Sequence, residues 1–447
     1  MKQQIYEHIS LRAFFKIIAP SIVGMVFIAL YSIVDGIFIA RFVGDAALAA
    51  INLVIPICSA TFAIGIMLST GGSAVVSIKM GEKNMTDARE KFTFTILIGL
   101  ASGAIMSLLC ILLLKPLLIF LGATENLYPY CFSYALIICI GMPVAILKTL
   151  YEYFFRANGN PGIGLSMAVL GGVVNIFLDY LFIVHWSMGI TGAALGTVMG
   201  FLMPAVIGTL FFTKKDSPLH FVKTKWQGKF LLEACINGSS EMVTELSTGF
   251  TTFLFNILCL KYMGEAGLSA ITIILYAHFL LTSVYLGFAS GIAPAVSYNY
   301  GAENSVQIKQ MMKYSVWFLI ISSVLVFVCS LASAPYLIGI FTAPHSGVFD
   351  IALRGLKIFS VGFLFIGINI FASALFTAFS NGKISALISM LRVLVFVSAG
   401  LLLLPLLFNS DGIWLTIPLA ELLSLGVSLY YLKRYSYTYG YNLRQQT

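Results

Sequence analysis

Charged side chains are scarce in this sequence. Asp, Glu, Lys and Arg make up 10% of its 447 residues, whereas 59% are hydrophobic; a water-soluble domain carries about 25% charged residues. That shortage excludes a soluble globule. The seven cysteines, Cys58, Cys110, Cys131, Cys139, Cys235, Cys259 and Cys329, are an odd number, form no CxxC pair and fall mostly in apolar runs. Disulfide or metal use is open to them, but they read better as small apolar core residues. No GxxxxGK[ST] loop is present, so nothing points to nucleotide as an energy source. HExxH, GxSxG and Asp-rich diphosphate motifs are also missing, which argues against an intramembrane enzyme. Residues Met1 to Lys16 lead into a long helix without a small-residue cleavage site and read as an uncleaved start.

Apolar runs are what the sequence has in abundance. Their lengths suit a hydrocarbon core of about 30 Å. They predict twelve helices, at 14–39, 47–76, 92–114, 128–152, 162–184, 190–212, 231–260, 267–297, 312–333, 349–373, 384–407 and 412–432. Breakers mark the ends, among them Gly44-Asp45, Gly81, Asn158-Gly159-Asn160-Pro161, Gly264 and Asn381-Gly382. The stretch 213–230 is the one long polar loop and reads as a linker between an N-terminal unit, 1–212, and a C-terminal unit, 231–447. The net charge is +8, but its placement argues against nucleic acid. Lys79, Lys83, Arg89 and Lys91, then Lys214, Lys215, Lys223, Lys225 and Lys229, then Lys309 and Lys313, then Lys433, Arg434 and Arg444 fall in alternate loops. The intervening loops hold scattered positives such as Arg41, Lys115 and Lys261. About nineteen of the 26 basic residues lie on one side and about five on the other. By the positive-inside bias both termini are expected in the cytoplasm, with anionic lipid headgroups as the partners of the excess charge.

The two units are copies. FVGDAALAAI at 42–51 matches YMGEAGLSAI at 262–271, and SIKMGEKN at 77–84 matches SYNYGAEN at 297–304, both at an offset of 220. At an offset of 221, Gly141, Phe155, Ala157 and Asn160 meet Gly362, Phe376, Ala378 and Asn381. With six crossings each, both copies enter from the same side, so a pseudo-two-fold along the membrane normal should relate them. The expected fold is therefore an all-α integral membrane protein of twelve transmembrane helices in two six-helix lobes. Two parallel lobes around a central cavity is a transporter plan.

A carboxylate inside a membrane helix costs about 2.5–3.5 kcal/mol at its centre, so each needs a reason. Asp35 lies near the end of the first helix and Asp179 in the middle of the fifth. Asn175 precedes Asp179 by four residues and shares its helix face. Thr197, in the sixth helix, adds a hydroxyl. These are hard oxygen ligands, suited to a proton or Na⁺, and two like charges in a dry site oppose joint ionisation. The second copy lacks the set: Asp35 aligns with Phe255, Asp179 with Gly400 and Asn175 with Phe396. That asymmetry favours an ion-coupling site in the first lobe over hydrogen bonding between helices alone. Lys148, Glu152 and Arg156, spaced i, i+4, i+8, read as a self-neutralising ladder. Glu241 and Glu245 have the same spacing with no basic residue between; they suit either a cavity that attracts a cation or a hydrated helix end. Arg392 and Glu421 are expected to pair between helices 11 and 12, and His278 to pack with a hydrogen bond. Pro20 removes a backbone donor from the first helix and invites a bend; protonating Asp35 or Asp179 is expected to change that bend and reshape the cavity.

VDGIFIARFVGDAALAA at 34–50, GGSAVVSIKMGEKN at 71–84, RANGNP at 156–161, NIFLDYLFI at 175–183 with MGITGAALGT at 188–197, and ASGIAPAVSYNYGAEN at 289–304 resemble the multidrug and toxic compound extrusion (MATE) family, especially its DinF-like and MepA-like bacterial branch. The likeness covers nearly the whole chain. It implies a V-shaped, two-lobed antiporter of the cell membrane that expels organic cations or drugs in exchange for H⁺ or Na⁺. Residue by residue, it implies a first-lobe cation site at Asp35, Asn175, Asp179 and Thr197, with Tyr134 as its neighbour and Pro20 as the bend of the first helix. The NorM-like branch carries an acid in the seventh helix where this chain has Gly249, so that role does not pass to Glu241 or Glu245. A lipid-linked precursor flippase of the same superfamily is the alternative, but it calls for a strongly cationic cavity. No cofactor beyond the coupling ion, no nucleic acid and no second copy of the chain are expected.

Overall fold

The computed structural model describes residues 4–344 and 346–442; side chains at 4, 5, 40, 45, 46, 48, 49 and 52 are outside that description. Arg444 and both chain ends therefore lie beyond it. The described chain is helical throughout its apolar runs, because a backbone in hydrocarbon must satisfy its own polar groups. After a short turn of helix, Gln4–Glu7, come α1 (Leu11–Phe42), α2 (Asp45–Gly81), α3 (Met85–Leu112), α4 (Tyr128–Ala157), α5 (Pro161–Asp179) and α6 (Gly189–Phe212). A continuous helical stretch, Gly228–Gly301, is broken at Gly264, whose φ of 65° is left-handed. It divides into α7 (228–263) and α8 (265–301). Then follow α9 (Ser305–Gly339), α10 (Gly347–Phe359, a 3₁₀ turn at Ser360–Gly362 and Phe363–Ala378), α11 (Gly382–Phe408) and α12 (Ser410–Arg434). All twelve expected helices are present, most of them longer than their apolar runs because polar first and last turns continue the hydrogen-bond ladder past the hydrocarbon.

Duplication is written more clearly in the backbone than in the side chains. Positive φ recurs at Gly44 and Gly264, Lys83 and Glu303, Gly159 and Ser380, and Gly189 and Asn409. These pairs stand 220 or 221 residues apart, the offsets of the sequence repeat. Helix starts repeat too: Asn84 Oδ1 accepts from Asp87 N and Asn304 Oδ1 from Gln307 N, each at 3.2 Å. Such a side chain satisfies one of the amides a helix start leaves unpaired.

The protein is a V of two six-helix lobes, and glycine sets how closely they approach. A Cβ at Gly71 of α2 would collide with the Ala234 carbonyl of α7; its repeat mate, Gly291 of α8, faces Ser21 and Ile18 of α1. Where α2 and α8 end, a Cβ at Gly81 would strike the Tyr298 carbonyl, and one at Gly301 the Ile78 carbonyl. Small residues let membrane helices touch backbone to backbone, gaining dispersion where no hydrophobic force acts between them. The segment between α6 and α7, 213–227, is not helical but is tied to the first lobe: Leu219 N donates to Asn158 Oδ1 (3.0 Å), Val222 N to Thr93 Oγ1 (3.1 Å) and Arg89 Nε to Pro218 O (2.8 Å).

Candidate functional site

The first lobe encloses an acid pair. Asp35, on α1, and Asp179, the last α-helical residue of α5, bring their carboxyl groups within hydrogen-bonding distance of each other. Asp179 is fully buried and Asn175 is 4% exposed. Asp35 Oδ1, both carboxylate oxygens of Asp179 and Asn175 Nδ2 are buried without a well-aligned hydrogen bond among the described residues, although Asn175 lies close enough to act on the Asp179 carboxylate. Unpaired acceptors at this depth are costly. A proton shared between the two acids, or a small hard cation, would supply what is missing.

Local structure makes room for this cluster. A π-helical turn, Tyr180–His185, begins directly after Asp179, and single π turns commonly mark functional positions in helices. Gly196 on α6 has no side chain where Asp179 Oδ1 sits, so a Cβ there would overlap the carboxylate. Tyr31, one turn before Asp35 on α1, packs on α5 at Gly172 and lies within electrostatic reach of Asp35, Lys148 and Glu152. Neither Gly196 nor Tyr31 stood out in the sequence. Tyr134 of α4, 8% exposed, lies within electrostatic reach of both acids. Thr197 is half-buried beside Gly196 and spends its proton on the Ala193 carbonyl at 3.0 Å, leaving oxygen lone pairs as its only offer to a cation. Pro20 lies within α1, which runs unbroken past it.

A separate cavity of about 140 Å³ opens between the lobes. Met25 of α1, Thr70 and Ser73 of α2 and Tyr153 of α4 line it from the first lobe; Glu241 and Glu245 of α7 and Arg392 of α11 line it from the second. Glu241 and Glu245 thus face a cavity, and neither makes an ion pair or hydrogen bond among the described residues. Pockets that hold drug-sized ligands measure about 300–1,000 Å³, so this cavity must widen to take one. None of Asp35, Asn175 and Asp179 lines it. The acid pair and the cavity are different places, joined by α1, which carries Asp35 and the cavity residue Met25.

The remaining intramembrane charges are mostly paired. Lys148 meets Glu152 at 2.9 Å, in a charge contact that leaves Glu152 Oε1 without an aligned donor. Arg156 stays out of the expected ladder: its guanidinium lies over the Tyr153 ring, 4.8 Å from its centroid. Arg392 and Glu421 pair at 2.8 Å, as their sequence positions suggest. His278 packs between Phe359 and Phe363 and makes no hydrogen bond among the described residues, so its expected partner is replaced by aromatic faces.

Known proteins agree with this architecture. The family model MatE matches residues 20–181 and 242–401, one block in each lobe. The chain is similar to the multidrug export protein MepA of Staphylococcus saprophyticus, at 24% identity over 412 residues, covering 88% of this chain and 86% of that one. Among solved structures, a MATE in complex with MaL6 superposes with a TM-score of 0.93 at 19% identity, covering 99% of both chains. The outward-facing conformation of a multidrug resistance MATE family transporter of the MOP superfamily gives 0.92 at 20% identity, covering 98% of both. Matched in both lobes over most of its length, this chain belongs to the MATE family of membrane transporters.

Proposed function

We propose that the protein is a secondary active multidrug efflux transporter that exchanges organic cations for H⁺ or Na⁺ by alternating access. The observation that carries the ion-coupling half is the buried Asp35–Asp179 pair with its unpartnered oxygens. In this reading a proton or Na⁺ enters between the two carboxylates, assisted by Asn175 and Thr197, and neutralises a charge density that the apolar lobe cannot otherwise tolerate. Its departure restores the repulsion. The consequence is mechanical: α1 carries both Asp35 and the cavity residue Met25, ten residues apart, or about 15 Å along a helix, with Pro20 beyond. A bend in α1 would transmit the state of the acid pair to the cavity.

The drug-export half is supported by the similarity to MepA and by the free carboxylates of Glu241 and Glu245 in the cavity. The driving ion is worth about 2.3 kcal/mol per charge per 100 mV, in addition to its concentration gradient. In this reading the chain spans the plasma membrane with both termini in the cytoplasm, which the uneven share of Lys and Arg between alternate loops supports. Lipids surround a monomer, and the coupling ion is its only small cofactor.

Proteoliposomes test this directly. With pH and Na⁺ gradients imposed separately, an ethidium-like cation should move against its own gradient with one of them and not without either. Asp179→Asn should insert normally and lose gradient-driven transport. Undiminished transport in that variant would overturn the acid-pair assignment.

A further inference from the structure

Arg392 is held in an unusual way. Its Nε alone donates to both carboxylate oxygens of Glu421, at 2.8 and 3.1 Å. The usual two-pronged pairing would have engaged a terminal amine as well. Here neither terminal amine donates to any described residue, and neither is fully buried. Arg392 also lines the cavity that holds Glu241 and Glu245, so its free end has that space to serve. The pairing side is fixed in depth. Asn369 Nδ2 donates to Glu421 Oε2 at 2.7 Å and Ser428 Oγ to Asn369 Oδ1 at 2.8 Å, all within buried second-lobe helices. A π-helical stretch at Met390–Phe396 presents Arg392 from α11. Glu421 cancels the charge of Arg392 while leaving two directed N–H-rich groups unspent, and a preorganised donor loses little entropy when it binds.

We propose that Arg392 is a specificity residue that receives the carboxylate of a ligand whose amine is held by Glu241 and Glu245, so that the cavity favours amphoteric amines over plain monocations of equal bulk. The inference rests on the efflux reading and refines its substrate class. The two acids sit one turn apart on α7, a spacing of about 5–6 Å, and Arg392 approaches from α11 within electrostatic reach of Glu241. A ligand that carries both an ammonium and a carboxylate would engage both poles. A monocation would leave the guanidinium end without a partner.

Two fluorescent amines isolate the carboxylate. Nε-dansyl-lysine and dansylcadaverine share fluorophore and chain and differ only in that group. Binding to the purified full-length protein, read by dansyl fluorescence, should favour dansyl-lysine. The double variant Arg392→Gln/Glu421→Gln removes both members of the pair, so that no charge is stranded in the lobe. It should lower the ratio of the two affinities about tenfold, the scale of one charge-assisted contact. Arg392→Lys should retain part of the preference. An unchanged ratio, or equal losses for both ligands with an unchanged melting temperature, would overturn the role of Arg392. Failure of the wild-type protein to export either dansyl amine from loaded vesicles would instead strike the efflux reading beneath it.

Discussion

Asp179 rests against the backbone of Gly196, which makes a glycine on α6 part of the acid site. Gly196→Ala should push the carboxylate out of its seat and cut gradient-driven transport at least about tenfold, with insertion intact; vesicle transport measured beside membrane yield would show it. Asn369 is a second residue whose weight is visible only in three dimensions. It donates to the Glu421 carboxylate and to the Glu421 carbonyl. Asn369→Ala should destabilise the second lobe by about 1–3 kcal/mol, read as a lower unfolding temperature in detergent. Asp35, Asn175, Asp179, Arg392 and Glu421 could be singled out from sequence because charge and amide are expensive in an apolar run. Gly196, Tyr31 and Asn369 could not: glycines, tyrosines and single amides are too common in membrane helices to carry a signal until their neighbours are known.

Helices set these residues in relation to one another. α1 carries Pro20, Met25, Tyr31 and Asp35 in order, so a single helix joins the proline, the cavity and the acid pair. The two π-helical stretches adjoin Asp179 and contain Arg392, and no periodicity in the sequence announces either. The ends of α2 and α8 cross where Gly81 and Gly301 face each other's backbones. Because the contact is reciprocal, Gly81→Val and Gly301→Val should have similar effects. Each should cost about 1–3 kcal/mol of overpacking and hinder closure of that end, detectable as a lowered melting temperature and as faster labelling of a cysteine placed at Ser297 in the cavity. A large effect from one and none from the other would show that the crossing is not shared equally.

At the scale of the whole molecule, the lobes are held together at that end by a strap from the N-terminal segment. Tyr6 is 1% exposed. Its hydroxyl donates to the Arg156 carbonyl in the first lobe (2.5 Å), while Asn299 of the second lobe donates to the Tyr6 carbonyl (2.9 Å). Ile9 N adds a bond to Gln307 Oε1 at 2.8 Å. Opening this end requires those contacts to break. Tyr6→Ala, which removes one hydrogen bond and a ring packed on Tyr298, should shift the equilibrium toward the open form and raise Ser297→Cys labelling about tenfold. Tyr6→Phe should give a smaller change. An unaltered rate in both would mean that the strap follows closure without contributing to it.

What the sequence determined by itself was the solvent, the number of helices, the duplication and the asymmetry of charge between the two copies. Each of these follows from local cost: apolar runs must cross the bilayer as helices, and a buried acid must have a reason. The tertiary structure decided what the acids face. It separated the Asp35–Asp179 pair from the cavity that holds Glu241 and Glu245, left the terminal amines of Arg392 without an acceptor among the described residues and set glycines at the seam between the lobes. Those outcomes depend on which helix faces meet across hundreds of residues, and in a membrane that choice is made by close packing of small residues, which leaves little trace in hydropathy.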